Sequence, residues 1–255
     1  MSAPVVTPLC VADDATFWPW HRWPEFSRWP DPAGTVVVVP FAGMADWGLG
    51  HALDAEETVL MHVLRAASRQ RPAGLRLLVV PPLRFVLGPD PGCAFAVDPP
   101  AAHAMIADVA ASIAAVGFRK LVFYNASPWN EELIAAAARD LRIAHGLQIF
   151  RISLGGLGLD FHPLRSKDRR KVQTLITALT GRLPESPPDV SAPPVTGWGD
   201  EAIRPLTEPA LPLAAAEIEG RASLDAVAKH LVSLLGEIHA RPPLARGGVI
   251  PTARP

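Results

Sequence analysis

Five side chains able to bind a cation or move a proton, Asp46, His51, Asp54, Glu56 and Glu57, crowd into one short stretch, TVVVVPFAGMADWGLGHALDAEE, at residues 35–57. Carboxylates and an imidazole at that density could hold a divalent cation, or act as general acid and base. A second polar cluster, Asn125-Ala126-Ser127-Pro128-Trp129-Asn130, could orient a substrate, and His162 and Arg165 stand in reserve further on. Each has a plainer account. Asp54 can cap a helix starting at Ala55, Glu57 can be a solvated first-turn residue, and His51 can be a loop hydrogen-bonder. Ser127 lacks the Gly-x-Ser-x-Gly setting of a nucleophile elbow, and Gly155–Gly158 lacks the lysine of a phosphate loop.

The elements that must carry these groups can be read from periodicity. Val36 to Val39 are four β-branched residues in a row. They predict a buried strand that ends in a loop containing Gly43, Gly48 and Gly50. Further strands are expected at residues 75–80, 121–124 and 147–153. Helices are expected at 55–68, 101–116, 131–145 and 217–238, where apolar residues recur at helical spacing. Alternating strands and helices predict an α/β fold with a mostly parallel central sheet flanked by helices on both faces. Ligands of such sheets bind beyond the carboxyl ends of the strands, where both polar clusters would sit.

Composition narrows the function classes. Hydrophobic residues make up 49% of the 255, charged residues 19%, and the net charge is -1. A sizeable core is expected and no basic stripe favours nucleic acid. The basic run at residues 165–171 reads as a solvated face. No apolar run is long enough to cross a membrane and no secretory leader is visible, so a cytoplasmic protein is expected. Cys10 and Cys93 form neither a disulfide framework nor a zinc pattern. Residues 1–34 read as an N-terminal arm rich in Trp and Pro, serving as a lid, a subunit contact or a cover over the core. Residues 35–240 read as one domain, with a Pro-rich irregular connection at 184–212, and 241–255 as a loose tail.

The order of the pieces resembles the creatininase family of metal-dependent amidohydrolases. VVVVPFAG with its glycine loop is similar to the family's opening strand and Pro-Val-Gly-Ser-x-Glu-x-His-Gly loop. The stretch from GCAFAVD to NASPWNEEL is similar to the run that ends in the family's Asn-Gly-His-Gly-Gly-Asn loop, and AEIEGRASLDAVAKHLVSLLGEI to its closing helix. The resemblance implies a homo-oligomer and two divalent metals held by a Glu-x-His pair, a following Asp, a second-loop His and a further acid. Laid on this chain, those positions carry Ala45, Trp47, Glu56 and Ser127. Asn125 and Asn130 keep the flanking asparagines, and His162 and Arg165 fall in the place of a later His-Ala-Gly-Glu motif.

Ala and Trp offer no lone pair to a metal and Ser is a poor ligand. The expectation is therefore a creatininase-like protein without the two-metal site and without a cofactor. It would be a pseudoenzyme that binds a small molecule or serves as an assembly subunit. Its pocket would be built from Asp46, Trp47, His51, Glu56, Asn125, Ser127, Trp129, Asn130, His162 and Arg165, with Arg165 placed to neutralise Glu56. The alternative is an amidohydrolase with a rebuilt site, in which Asp46, His51 and Glu56 hold one divalent metal such as zinc. In either case Trp47 and Trp129 should converge, as a plug in the vacated site or as a flat slot for a planar ligand.

Overall fold

The computed structural model describes residues 15–87, 93–163, 165–167, 169–185, 206 and 208–243. Cys10, most of the Pro-rich connection and most of the tail lie outside them. Strand β1 (Val36–Ala42) is buried along its whole length. It is followed by β2 (Met44–Ala45), α2 (Ala55–Gln70), β3 (Leu77–Val79), β4 (Leu83–Arg84) and β5 (Val86–Leu87), with the short α1 (Trp23–Phe26) ahead of them. Then come β6 (Cys93–Ala94), β7 (Ala96–Val97), α3 (Pro99–Ala115), β8 (Lys120–Asn125), α4 (Glu131–His145), β9 (Gln148–Ser153), α5 (Arg169–Thr180) and α6 (Leu213–Ala240).

The central sheet runs β3-β1-β8-β9 and is parallel throughout, with β4 continuing beside β1 where β3 stops. Pro40 explains that break. Val38 O accepts from Val80 N and Ala42 O from Phe85 N, so the even-numbered residues of β1 face β3 and β4. Pro40 therefore turns its missing N–H toward the interruption at Pro81–Pro82, and a proline is tolerated inside a central strand.

Alternation along the strands sorts the core into two layers. Val36, Val38, Val122, Tyr124 and Ile152 pack with Leu60, Leu175 and Leu231 of α2, α5 and α6. Val37, Val39, Leu121, Phe123 and Ile149 pack with Ile106, Ile134 and Leu141 of α3 and α4. Helices on both faces of a parallel sheet are the architecture the sequence implied. Helix α5 is the exception, because its basic opening reads as a solvated run. Its apolar positions, Val172, Leu175 and Ile176, lie under α6, and Gly220 of α6 comes so close that a Cβ there would meet Ala178 Cβ at 2.3 Å. Helix α3 begins on Pro99, which suits a first helical turn.

The chain runs from β1 to one neighbour, β3, and later returns to the other side of β1 with β8. The crevice above the carboxyl ends of β1 and β8 is thus the point where strand order reverses, and the loops carrying the two polar clusters leave it toward opposite faces.

The described part of the N-terminal arm lies at the other end of the sheet. Trp18 stacks on Phe26 with ring centroids 4.4 Å apart, Phe26 lies 5.9 Å from Trp29, and Phe118 closes the group. Trp29 Nε1 donates to Thr35 Oγ1 at 3.0 Å, just before β1. The described part of the arm therefore packs over the core at the amino end, away from the crevice. Beside it Lys120, 1% exposed, sends its ammonium to His239 O at 2.8 Å and to Arg241 O, the carbonyls at the end of α6.

One rim of the sheet is covered along β3 and the other is capped at the start of β9. Phe17 bridges Val79 of β3, whose N–H donates to Thr16 O at 2.8 Å. On β9, Arg142 donates to Ile149 O through Nε at 3.0 Å, Gln148 Nε2 donates to Pro242 O at 2.9 Å, and Arg241 lies over the Phe150 ring. Among the described residues no helix is long and apolar enough to cross a membrane.

Candidate functional site

The loop after β1 is shaped by its own backbone. Asp46 is exposed and its Oδ1 accepts from Gly48 N at 2.8 Å, which closes a local turn. Gly48 O accepts from Leu206 N and Gly50 O from Glu185 N, both at 2.8 Å, so described residues of the Pro-rich connection dock on the glycine loop. Gly50 has φ +71°, and a Cβ there would lie 2.4 Å from Glu185 O, so only glycine fits. His51 points away from the crevice, with Nε2 3.2 Å from Thr177 Oγ1 of α5 and its pKa held down by burial.

Glu56, in the first turn of α2, is wholly buried. Its Oε2 accepts from Gly43 N at 2.5 Å, and its Oε1 from Trp47 Nε1 at 2.9 Å. Burial raises its pKa from 4.5 to about 7, against the pull of those donors and of the nearby Ser127 hydroxyl. Ser127 Oγ lies against the carboxyl without the alignment of a good hydrogen bond.

Trp47 is 2% exposed and fills the crevice. Its ring stacks on Trp129 with centroids 5.6 Å apart and planes at 26°, and leans on Phe161 at 5.9 Å. His162 meets Trp129 edge-on at 5.3 Å. Arg169 donates to the Trp47 carbonyl, which ties the loop to α5. The two indoles converge as expected, but on each other. At that separation the rings are in mutual contact, and no planar ligand fits between them.

The asparagines brace the loops. Asn125 Nδ2 donates to Ser127 O at 2.6 Å, and Asn130 Nδ2 to Phe85 O at 2.8 Å while its Oδ1 accepts from Leu87 N. Arg165 does not neutralise Glu56. Its guanidinium clamps Glu131 at 2.8 Å through two nitrogens and Asp160 at 2.6 Å, because those acids flank it on the surface of the same edge. Glu57 is not solvated either. It is 3% exposed and takes a two-pronged pair from Arg84 at 2.6 and 2.8 Å. Asp54 stands at the helix cap, but only its carbonyl, not its side chain, bonds the first turn.

Glu56, Trp47, Ser127 and Trp129 are thus brought together, with His162 at the margin, whereas Asp46, His51 and Arg165 serve other partners. Among the described residues no three His, Cys, Asp or Glu groups gather as a cation site. Sequence reasoning missed Phe161, Asp160, Glu131 and Arg169. Only Arg169 left a signal, as a cation one turn ahead of an apolar helix stripe. Two cavities, of about 390 and 280 Å³, lie elsewhere, one beside Trp29 and Arg76 and one between Arg142 and Arg241.

Comparison with known proteins agrees with this geometry in fold. No curated protein matches the chain in sequence. Among solved structures, a creatinine amidohydrolase (creatininase) is 17% identical with a TM-score of 0.63, covering 90% of this chain and 100% of its own. A manganese creatininase is 18% identical at TM-score 0.63, covering 89% and 100%. A Bacteroides fragilis NCTC 9343 protein assigned as a creatinine amidohydrolase is 14% identical at TM-score 0.63, covering 91% and 100%. The family model for creatininase (creatinine amidohydrolase) matches residues 21–184, a span that takes in β1, β8 and both loops meeting at the crevice. The chain therefore belongs to the creatininase family.

Proposed function

We propose that this chain keeps the creatininase fold without the family's metal-dependent hydrolysis and acts as a non-hydrolytic subunit for assembly. One observation carries the reading: the Glu56 carboxyl, the acid that lies in the crevice among the described residues, is spent on Gly43 N–H and Trp47 N–H. The structural relatives include a manganese creatininase, and the residues here do not fit such a metal. Both Glu56 oxygens face N–H donors, which repel a cation, and the indole of Trp47 occupies the volume in which a metal and its water would sit. The rebuilt site from Asp46, His51 and Glu56 finds no support in geometry, since the three side chains serve the Gly48 amide, Thr177 and Trp47 respectively.

Assembly is favoured over ligand binding because the crevice is filled by the chain's own rings, whereas Trp20, Trp23 and Phe95 are left 47%, 73% and 73% exposed. The test combines a creatinine amidohydrolase assay, with and without added Mn²⁺ or Zn²⁺, and light scattering. No turnover under either condition, together with a mass of two or more chains, is expected. Turnover restored by metal and removed by chelator overturns the reading, and a monomer overturns its assembly part.

A further inference from the structure

The amino end of the sheet, away from the crevice, holds a cavity of about 390 Å³. Pockets for small molecules start at roughly 300 Å³, so the space is large enough for one. Arg69 and Arg71 reach its wall from the end of α2, and Arg76 from the approach to β3. No acid stands among the described residues that line it. Asp31, next to the lining Pro30, takes Nη2 of Arg76 at 2.6 Å and spends its other oxygen on Gly34 N at 3.0 Å. Arg76 Nε is buried and has no partner among the described residues. Buried donors are nearly always satisfied, so a strong charged donor is left unspent on a residue of the cavity wall. Arg69 is exposed, and Arg71 sends one nitrogen to Ser68 O. The positive field reaches behind the wall as well. Burial lowers the pKa of Lys120 and of His239, and the charge of Arg76 adds to both shifts. Trp29 and Leu77 supply apolar wall. Trp29 Nε1 is already given to Thr35, so the indole offers the cavity carbon and not a donor.

We propose that this cavity binds a small phosphate monoester of an apolar or aromatic group, with Arg76 and Arg69 holding the phosphate and Trp29 the apolar part. Guanidinium forks match phosphate oxygens in pairs. Cations that arrive from two elements suit oxygens spread over a tetrahedron better than the flat edge of one carboxylate. A phosphate monoester brings a charge of about −1.5 to −2 at neutral pH, and a wall with arginines and no described acid is built to receive it. The inference goes beyond the assembly reading and does not depend on it, because the cavity and the crevice lie at opposite ends of the sheet.

The experiment titrates the full chain by calorimetry at fixed ionic strength with phenyl phosphate, inorganic phosphate and benzoate. Phenyl phosphate is expected to bind at one equivalent, about fivefold more tightly than inorganic phosphate and about tenfold more tightly than benzoate. Arg69→Gln/Arg76→Gln should weaken it by about tenfold or more, since charge-assisted bonds are lost. Arg139→Gln removes the same charge from an exposed position on α4 and should change nothing. Should the double variant fail to fold, Arg69→Glu, which alters an exposed side chain alone, decides by the same titration, with a loss of about tenfold again expected. Absence of phenyl phosphate binding overturns the proposal. So does benzoate binding as tight as that of phenyl phosphate, or an equal loss in Arg139→Gln, which would reduce the effect to net charge. None of these outcomes touches the functional reading, whose test is turnover and mass.

Discussion

The two ends of the sheet solve the same problem in opposite ways. At each end an ionisable side chain is buried beside a helix terminus. At the amino end Lys120 donates to the last carbonyls of α6, where the helix dipole favours a cation. At the carboxyl end Glu56 lies in the first turn of α2, where the dipole favours an anion. Lys120 meets carbonyls that need a donor, and these offset part of the burial that lowers its pKa. Glu56 meets neutral N–H groups inside a ring of indoles, and burial outweighs dipole and donors, raising its pKa to about 7. The lesson is that a buried charge matched to a helix end acts as a fastening. A buried acid that needs two tryptophans to cover it is the residue of a different arrangement.

The comparison can be broken most forcefully at Trp47. Trp47→Ala removes a ring packed on Trp129 and Phe161 and strips Glu56 of a donor, and should cost about 3–5 kcal/mol in chemical denaturation. A loss below about 1 kcal/mol would show that the indole is not filling the crevice.

Next comes the pH dependence of Glu56. Its folded pKa, about 7, exceeds the ordinary 4.5, so the folded state binds more protons between those values. Its contribution is therefore complete below pH 4.5 and is lost as pH rises through 7, a difference of about 3 kcal/mol. Glu56→Gln should flatten the stability profile across that window, as measured by urea midpoints at several pH values. An unchanged slope would remove the contrast with Lys120.

Lys120→Met keeps the stem and deletes the ammonium, leaving the α6 carbonyls unpartnered, and should cost about 2 kcal/mol. A neutral result would mean that the amino end is held by its aromatic cluster alone. The smallest effect belongs to Trp29→Phe, which keeps a ring against Phe26 and loses the hydrogen bond to Thr35, for about 1 kcal/mol. Thermal unfolding resolves each of these changes.

The sheet was legible because its strands are apolar on both faces, and the run Val36–Val39 has no other comfortable home. The meeting of Trp47 and Trp129 followed from topology, since both loops leave neighbouring parallel strands at the same edge. What sequence could not reveal was the pairing of charges. Glu57 and Arg84 lie far apart along the chain, and nothing local distinguishes the acid buried against arginine from the solvated first-turn acid it resembles. An inward turn of Arg165 would bury its guanidinium, whereas two acids on its own surface offer charge-assisted bonds while it stays half exposed. Helix α5 was hidden because its first turn is basic and its apolar stripe is short, and it takes its stability from α6 above it.

The rims of the sheet carry a consequence for how copies of this chain could meet. A bare outer strand is a template on which another molecule can continue the hydrogen-bonded ladder, and it is the usual seed of uncontrolled growth. Here Thr16 and Phe17 lie along one side, and Arg142, Arg241 and Pro242 along the other. Where the rims are covered in this way, a second molecule meets the chain laterally, through helices or the exposed aromatics. Amide exchange along β9 should stay the same on dilution, while exchange in the surfaces that meet should quicken as the copies part.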